Sequence, residues 1–368
     1  MNKVRLGDIA EIITGPFGSM LHKSDYVKKG IPLIMPQDIG DRSVDFSTIA
    51  RISEEDAERL KKYEVVENDI VYARRGDVEK HAFIVKEHGR IFCGTGCLRV
   101  RVKSELANPL FVSFYLNRPE SKEWISKHAV GSNMPNINTE ILSDVLIELP
   151  NAKKQEKIAF LLKQIDEKVK NNKKVNDNLA SMAYDIYMHT LYGKEPNGKL
   201  NDILIENDKS KVQVGEAKES VGKYPFFTSG EAILRWKEHF VDGRNCFLNT
   251  GGNADVKFYV GKAAYSTDTW CISANQDLGD YLYLLLLSIK PELDKKFFQG
   301  TSLKHLQKPL LKERPIYIPK VEEIYAFNSQ VQHWFDNIAE NTKENQHLTS
   351  VRNWLLPMLM NGQATLDD

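Results

Sequence analysis

Residues 131–150 read GSNMPNINTEILSDVLIELP, and residues 300–319 read GTSLKHLQKPLLKERPIYIP. The two stretches lie 169 positions apart, and the match continues without a gap through residues 131–193 and 300–362. Identities are few: Leu142/Leu311, Ile147/Ile316, Pro150/Pro319, Asn172/Asn341 and Leu179/Leu348 are among them. The pattern is nevertheless the same in both, an extended apolar stretch closed by proline, then a long helix-like segment, then glycine. Internal repeats decide architecture before any local motif does, and two copies are too few for a solenoid. The repeat therefore predicts a pseudo-twofold molecule, one suited to gripping something that is itself bipartite.

The bulk numbers allow this. A chain of 368 residues has room for two or three domains, each with its own core. Fifty basic and fifty acidic side chains cancel, which argues against a tail-type polyanion binder but leaves room for local basic faces. Cys93, Cys97, Cys246 and Cys271 form no CxxC pair, as expected of plain thiols in a reducing compartment. The opening MNKVRLGDIAEIITG has no apolar core, and the apolar run at residues 281–289 is too short to span a bilayer. A cytoplasmic protein is expected.

Working outward from the repeat, each copy is preceded by a β-rich region. Residues 31–35, 69–73 and 97–102 read as strands and 109–124 as a helix; later, 245–249, 256–260 and 262–265 read as strands and 278–289 as a helix. Even the starts rhyme, VRLGDI at residue 4 against GKLNDI at residue 198. That match is 194 positions apart, so the first region is about 25 residues longer than the second. The expected divisions are residues 1–150, 151–198, 199–319 and 320–368.

The second and fourth divisions read as long helices. A heptad begun at Ile158 puts Ile158, Ile165, Asn172, Leu179 and Ile186 at a, with Leu161, Lys168, Val175, Met182 and His189 at d. Leu162, Val169 and Ala183 widen the stripe at e. The shift by 169 gives Phe327, Trp334, Asn341, Leu348 and Leu355 at a. Two such helices, each about 60 Å long, predict an antiparallel coiled-coil pair. A polar residue at an a position fixes register at some cost in stability. Asn172 and Asn341 are both near their helix centres, so they are expected to face each other, unless both simply point to water. Pro357 should bend or end the second helix.

These features together resemble the DNA specificity subunit of type I restriction–modification systems. The resemblance is carried by VRLGDIAEIITG from Val4, by GSNMPNI from Gly131 followed by Leu149-Pro150 and Gln155-Glu156-Lys157-Ile158, by YPFFTSG from Tyr224, and by LLPMLMNG from Leu355. It covers essentially the whole chain and departs from the pattern at Glu323-Ile324-Tyr325. It implies two α/β (α+β) target recognition domains separated by two long helices that form an antiparallel coiled coil. It further implies a non-catalytic chain that reads a split, non-palindromic site in double-stranded DNA, with the helices as spacer. The implied partners are two modification (methyltransferase) subunits and two restriction (motor and nuclease) subunits. S-adenosylmethionine, ATP and Mg would belong to those partners, and this chain would hold no cofactor or metal. A stand-alone methyltransferase without a restriction motor remains an alternative, as does a nuclease using Asp77 or Asp268. The sequence agrees with a non-catalytic role by omission. None of its Gly-Lys pairs is followed by Ser or Thr, and no GxGxxG follows a strand.

DNA readout needs phosphate donors and side chains able to reach base edges. In the first half the candidates are Arg74, Arg75, Lys80 and His81 after a strand, and Ser132, Asn133 and Asn136 in a compact loop. The arginines could equally be a surface cluster paired with Asp77 and Glu79. In the second half Asn249, Thr250, Gly251, Gly252 and Asn253 occupy the matching place. Their two glycines would let a phosphate approach, although a plain tight hairpin has the same composition. Ser229, Thr267, Ser302 and Lys304 complete the candidates. The lysines crowding residues 153–174 fit either a basic strip or a solvated coiled-coil face.

Overall fold

A computed structural model describes residues 2–131, 133–275, 277–300 and 304–364. Ser132 and Ser302 lie outside the described residues. The chain divides into two compact units, one of Met1–Glu167 with Leu348–Asp368, the other of Lys168–His347. Each unit thus contains part of both long helices.

The first unit opens and closes on one strand pair. Asn2–Arg5 runs antiparallel to Leu146–Leu149, so the end of the β-rich region returns to its beginning. Between them stand two four-stranded sheets. One has the order Ala10–Thr14, Cys97–Val102, Ile70–Ala73, His81–Phe83. The other has the order Ala50–Ile52, Ile31–Ile34, Ile91–Cys93, Glu64–Val65. Ile70 to Ala73 are buried without a polar alternation, because both faces of that strand are covered.

The second unit repeats this plan. Gly198–Lys199 pairs antiparallel with Pro315–Ile316. One sheet runs Leu204–Glu206, Thr269–Ala274, Arg244–Asn249, Val256–Val260, and the other Ile233–Trp236, Tyr224–Phe227, Ala264–Tyr265. The extra length of the first unit sits largely in residues 35–49, against 228–232, and in the helix Glu54–Arg59 with strand Glu64–Val65, which have no counterpart.

The expected single helix over residues 109–124 is two, Pro109–Leu116 and Pro119–His128. Proline cannot continue a helix but suits its first turn, so Pro119 ends one and starts the next. The side chain of Asn108 caps the first by accepting from Phe111 N–H.

The long helices are Ala152–Thr190 and Val321–Met360. In the first unit Ile158, Ala159 and Leu162 share a core with Leu356, Leu359 and Met360. In the second, Ala183 and Tyr187 share one with Phe327, Val331 and Phe335. Low numbers meet high ones in both, so the segments run antiparallel. The seam follows the a and e positions of the expected heptad. Leu162 and Ala183 are buried, whereas Lys168, Val175 and Met182 at d are exposed. Alternating steps of four and three along a and e still make a coiled-coil stripe, in a frame displaced from the expected one. Pro357 lies inside the second helix, which ends one turn later.

The two seam asparagines do not meet as expected. Asn172 donates to Glu344 at 2.6 Å and Asn345 at 2.9 Å, whereas Asn341 donates to Asn176 at 2.8 Å. The seam is staggered by one helical turn, and each asparagine finds a different polar partner. Its register follows the side chains that pack around it, Phe327 and Val331 among them, rather than the helix midpoints.

In each unit an arginine of the β-rich region is held by a long helix. Arg42 Nη1 lies 2.6 Å from Asp166, its guanidinium carbon is 3.5 Å from the Phe114 ring centre, and Nε donates to Ser113 Oγ. Arg352 holds the same Asp166 at 2.8 Å. In the second unit Arg244 bridges Asp280 and Asp336 at 3.0 and 2.8 Å. Gln155 is a tie of another kind. It is buried, accepts from Asn108 N–H, and donates to the Pro150 carbonyl. Its counterpart by the repeat is Ile324, which is buried with the apolar core instead.

No helix among the described residues is long and apolar enough to cross a membrane. All four cysteines are buried and free.

Candidate nucleic-acid interface

Most of the candidate residues lie where the inner strands Ile70–Ala73 and Arg244–Asn249 of corresponding four-stranded sheets end. In the first unit, strand Ile70–Ala73 runs into residues 74–80, and the segment 130–137 lies against this loop. Arg74 N–H donates to the Gly96 carbonyl, Ile137 N–H to the Arg74 carbonyl and Gly76 N–H to the Pro135 carbonyl, at 2.8, 3.0 and 3.1 Å. Arg75 and Asn136 form an isolated β-bridge between the second and third of these. Gly76 adopts φ +77, a conformation that glycine takes without the strain a Cβ brings.

The second unit builds the same ladder from other residues. Thr250 N–H donates to the Asp268 carbonyl, Leu306 N–H to the Thr250 carbonyl and Gly252 N–H to the Lys304 carbonyl, at 3.1, 3.0 and 3.0 Å. Gly251 bridges His305, and Gly252 has φ +80. On the second strand of each ladder the 169-residue offset holds at every rung, pairing Pro135 with Lys304, Asn136 with His305 and Ile137 with Leu306. Backbone geometry is therefore repeated while the side chains it presents are not.

In the first unit the loop presents Arg75, Lys80 and Asn133 to solvent, with Arg74 and Asn136 half-buried. Lys80 is held by Asp77 at 2.5 Å, whereas Arg75 has no ion-pair partner among the described residues. Desolvation and the neighbouring Arg75 lower the pKa of Arg74. The Arg74 Nε is buried without a hydrogen-bond partner among the described residues. Met134 and Val130 add exposed apolar surface beside the cations. Such a mixture suits contact with sugar and base edges as well as phosphates.

His81 does not belong to this surface, contrary to the expectation from sequence. It is 1% exposed, stacks on Tyr72 with ring centres 4.9 Å apart, and its Nε2 lies 3.1 Å from Ser113 Oγ. Burial, together with the Arg42 and Lys122 charges, pushes its pKa down to about 3, so the ring is neutral.

In the second unit Asn253 and Lys304 are exposed, and Gly251, Gly252 and Thr267 are partly so. Lys304 lies 3.3 Å from Asp294. Asn249 is buried and is not a candidate reader, again contrary to expectation. Its amide donates to the Asn253 carbonyl and its Oδ1 accepts from Lys257, so it braces the turn from within. Thr250 and Ser229 both donate their hydroxyls to the Asp268 carbonyl, which locks three loops together. Thr267 N–H donates to the Val212 carbonyl.

Sequence reasoning missed Lys257 and two further loops. Lys257 donates to the Thr228 carbonyl at 2.9 Å and pairs with Asp255 at 3.4 Å beneath the turn. Residues 15–20 and 207–211 leave the same sheet ends as the two ladders, as the bonds Gly15 N–H to Cys97 carbonyl and Asn207 N–H to Cys271 carbonyl show. The first of these loops exposes Phe17 and the second exposes Lys209 and Lys211. Only a strand order, which no sequence pattern displays, would have placed them there.

Two repeated β-rich units with paired long helices define a class of internally duplicated proteins. Residues 1–181 and 196–349 match the type I restriction modification DNA specificity domain, and the chain belongs to that family. It is thus a specificity subunit and not a catalytic one. The type I restriction enzyme MjaIX specificity subunit of Methanocaldococcus jannaschii is 22% identical over 299 residues, covering 69% of each chain. A second chain of that organism, named for the MjaX specificity subunit, is 21% identical and covers 97% of this chain and 92% of its own. The crystal structure of a type I restriction-modification system S subunit from M. genitalium superposes with TM-score 0.62 at 16% identity, covering 100% of this chain and 96% of that one. At that identity the likeness speaks for the fold.

Proposed function

We propose that this specificity subunit recognises a bipartite, non-palindromic DNA site through its two loop ladders, one half-site per unit. A single observation carries the reading: both units hold the same backbone ladder at the same strand end, yet dress it with unlike side chains. A shared frame with different side chains is what a chain needs to read two different half-sites. Arg74, Arg75, Lys80, Asn133 and Asn136 would serve the first, and Gly251, Gly252, Asn253 and Lys304 the second. The helix pair sets the spacer between them. Modification subunits using S-adenosylmethionine, and restriction subunits using ATP and Mg, supply the chemistry that this chain directs.

The test is methylome sequencing of a host carrying the chain together with a modification subunit that assembles with it, paired with nuclease footprinting of the purified complex. A split motif of two unlike half-sites with a fixed spacer, protected in the footprint, is expected. A continuous or palindromic motif, or no protection at all, overturns the reading.

A further inference from the structure

We infer that Arg75 reads a guanine in the half-site bound by the first unit, an inference that rests on the bipartite reading just given. Four observations converge on this side chain. Its backbone is fixed by the bridge to Asn136 and by flanking hydrogen bonds at Arg74 and Gly76, so the guanidinium leaves a rigid base. It is exposed, whereas its neighbour Arg74 is half-buried. The nearby cation Lys80 is already neutralised by Asp77, and no carboxylate among the described residues holds Arg75. Finally, the ladder position of Arg75 is occupied in the second unit by Gly251.

The last point separates base reading from backbone anchoring. Phosphates are the same in both half-sites, so a group that only anchors the duplex is needed equally by both ladders. A base reader is what has to differ between them. The planar guanidinium fork matches guanine O6 and N7 in the major groove, and no other base pair presents two acceptors in that pattern. Lysine carries the same charge without the fork.

The experiment compares wild-type, R75K and R75A full chains, each co-expressed with the modification subunit. The readouts are the methylated motif and competition binding to duplexes altered one base pair at a time. Wild type should discriminate by about ten- to a hundredfold against replacement of one G·C pair in one half-site. R75K and R75A should both lose that discrimination while the other half-site and the spacer stay unchanged. Retention of every base preference in R75K, or relaxation at an A·T pair, overturns the inference. A wild-type complex that protects no split site sinks the bipartite reading itself, and is recognised by its failure before any variant is compared. Thermal melts of the variants that coincide with wild type show that the exposed side chain, and not folding, is responsible.

Discussion

Asn341 donates its side-chain amide to Asn176 across the helix seam at 2.8 Å, one turn removed from Asn172. Asn172 is instead shared between Glu344 and Asn345. Two polar layers thus stand side by side in the second unit. A hydrogen bond of this kind contributes about 1 kcal/mol, and coupling is measurable only between residues that share it. A double-mutant cycle on Asn176 and Asn341 should give a coupling of about 1 kcal/mol in urea melts. The cycle on Asn172 and Asn341 should be additive within about 0.3 kcal/mol. The reverse order would restore the facing arrangement.

Much of this architecture was legible in the chain. The gapless offset is a property of the backbone ladder itself, since residues 135–137 and 304–306 form the same rungs. Hydrophobic runs placed the strands at residues 70–73 and 97–102 because burial there is nearly continuous. His81 and Asn249 were misread for one reason. Both look like polar residues at a loop, but each is covered by packing that strand pairing and tertiary contact create: Tyr72 of the adjacent strand and Ser113 against His81, and Lys257 beneath Asn249. The heptad frame slipped because Val175 and Met182 are as apolar as a seam requires, and only packing on the opposite helix chooses between d and e. The Arg42 tie lies in residues 35–49, where the second unit has only the shorter 228–232, so the repeat gave no hint of it.

The helix pair should act as a ruler. Inserting four residues between positions 168 and 178 displaces the Asn172 and Asn176 layers by about one turn relative to the second helix. The spacer of the methylated motif should change, or binding should be lost, with both half-sites kept where methylation persists. Changed half-sites with an unchanged spacer would exclude this role.

Arg42 should contribute strongly to the first unit. Its side chain is 8% exposed, its backbone sits at φ 55, and it satisfies both Asp166 and Ser113 while covering Phe114. Removing one partner of a buried ion pair costs about 3 kcal/mol or more. R42A should therefore destabilise the unit by about that amount, read as faster hydrogen exchange in His81–Phe83 and Pro109–Leu116. R352A should cost less, because Arg352 is more exposed and Arg42 still holds Asp166. Equal effects of the two substitutions would show that Arg42 is no special tie.

Gly76 tests the frame of the first ladder. A Cβ there meets nothing within 4 Å, so the penalty of a side chain is that of φ +77 alone. Asparagine tolerates this region and β-branched residues do not. G76N should leave DNA affinity within a few-fold of wild type. G76V should cost about 1–2 kcal/mol in loop strain and weaken binding through the first half-site only. Equal binding by both variants would mean that the loop tolerates displacement and does not carry recognition.

His81 should make the first unit sensitive to acid. Its pKa is about 3 in the folded chain against an ordinary 6.5, with burial first among the causes, then repulsion by Arg42 and Lys122, opposed by Asp41. The unfolded chain therefore binds the extra proton between pH 6.5 and 3, and stability falls as the pH is lowered through that window. The contribution is complete above pH 6.5. Each unit of pH below it removes about 1.4 kcal/mol until the folded pKa is reached. Between pH 6.5 and 5 the loss from this group is about 2 kcal/mol. H81Q keeps a polar group near Ser113 but has nothing to titrate. It should be less stable than wild type at pH 7.5, with a flatter decline toward pH 5 in urea midpoints. Parallel declines in the two proteins would mean that His81 is protonated in the folded unit, and that Ser113 and Tyr72 do not enclose it.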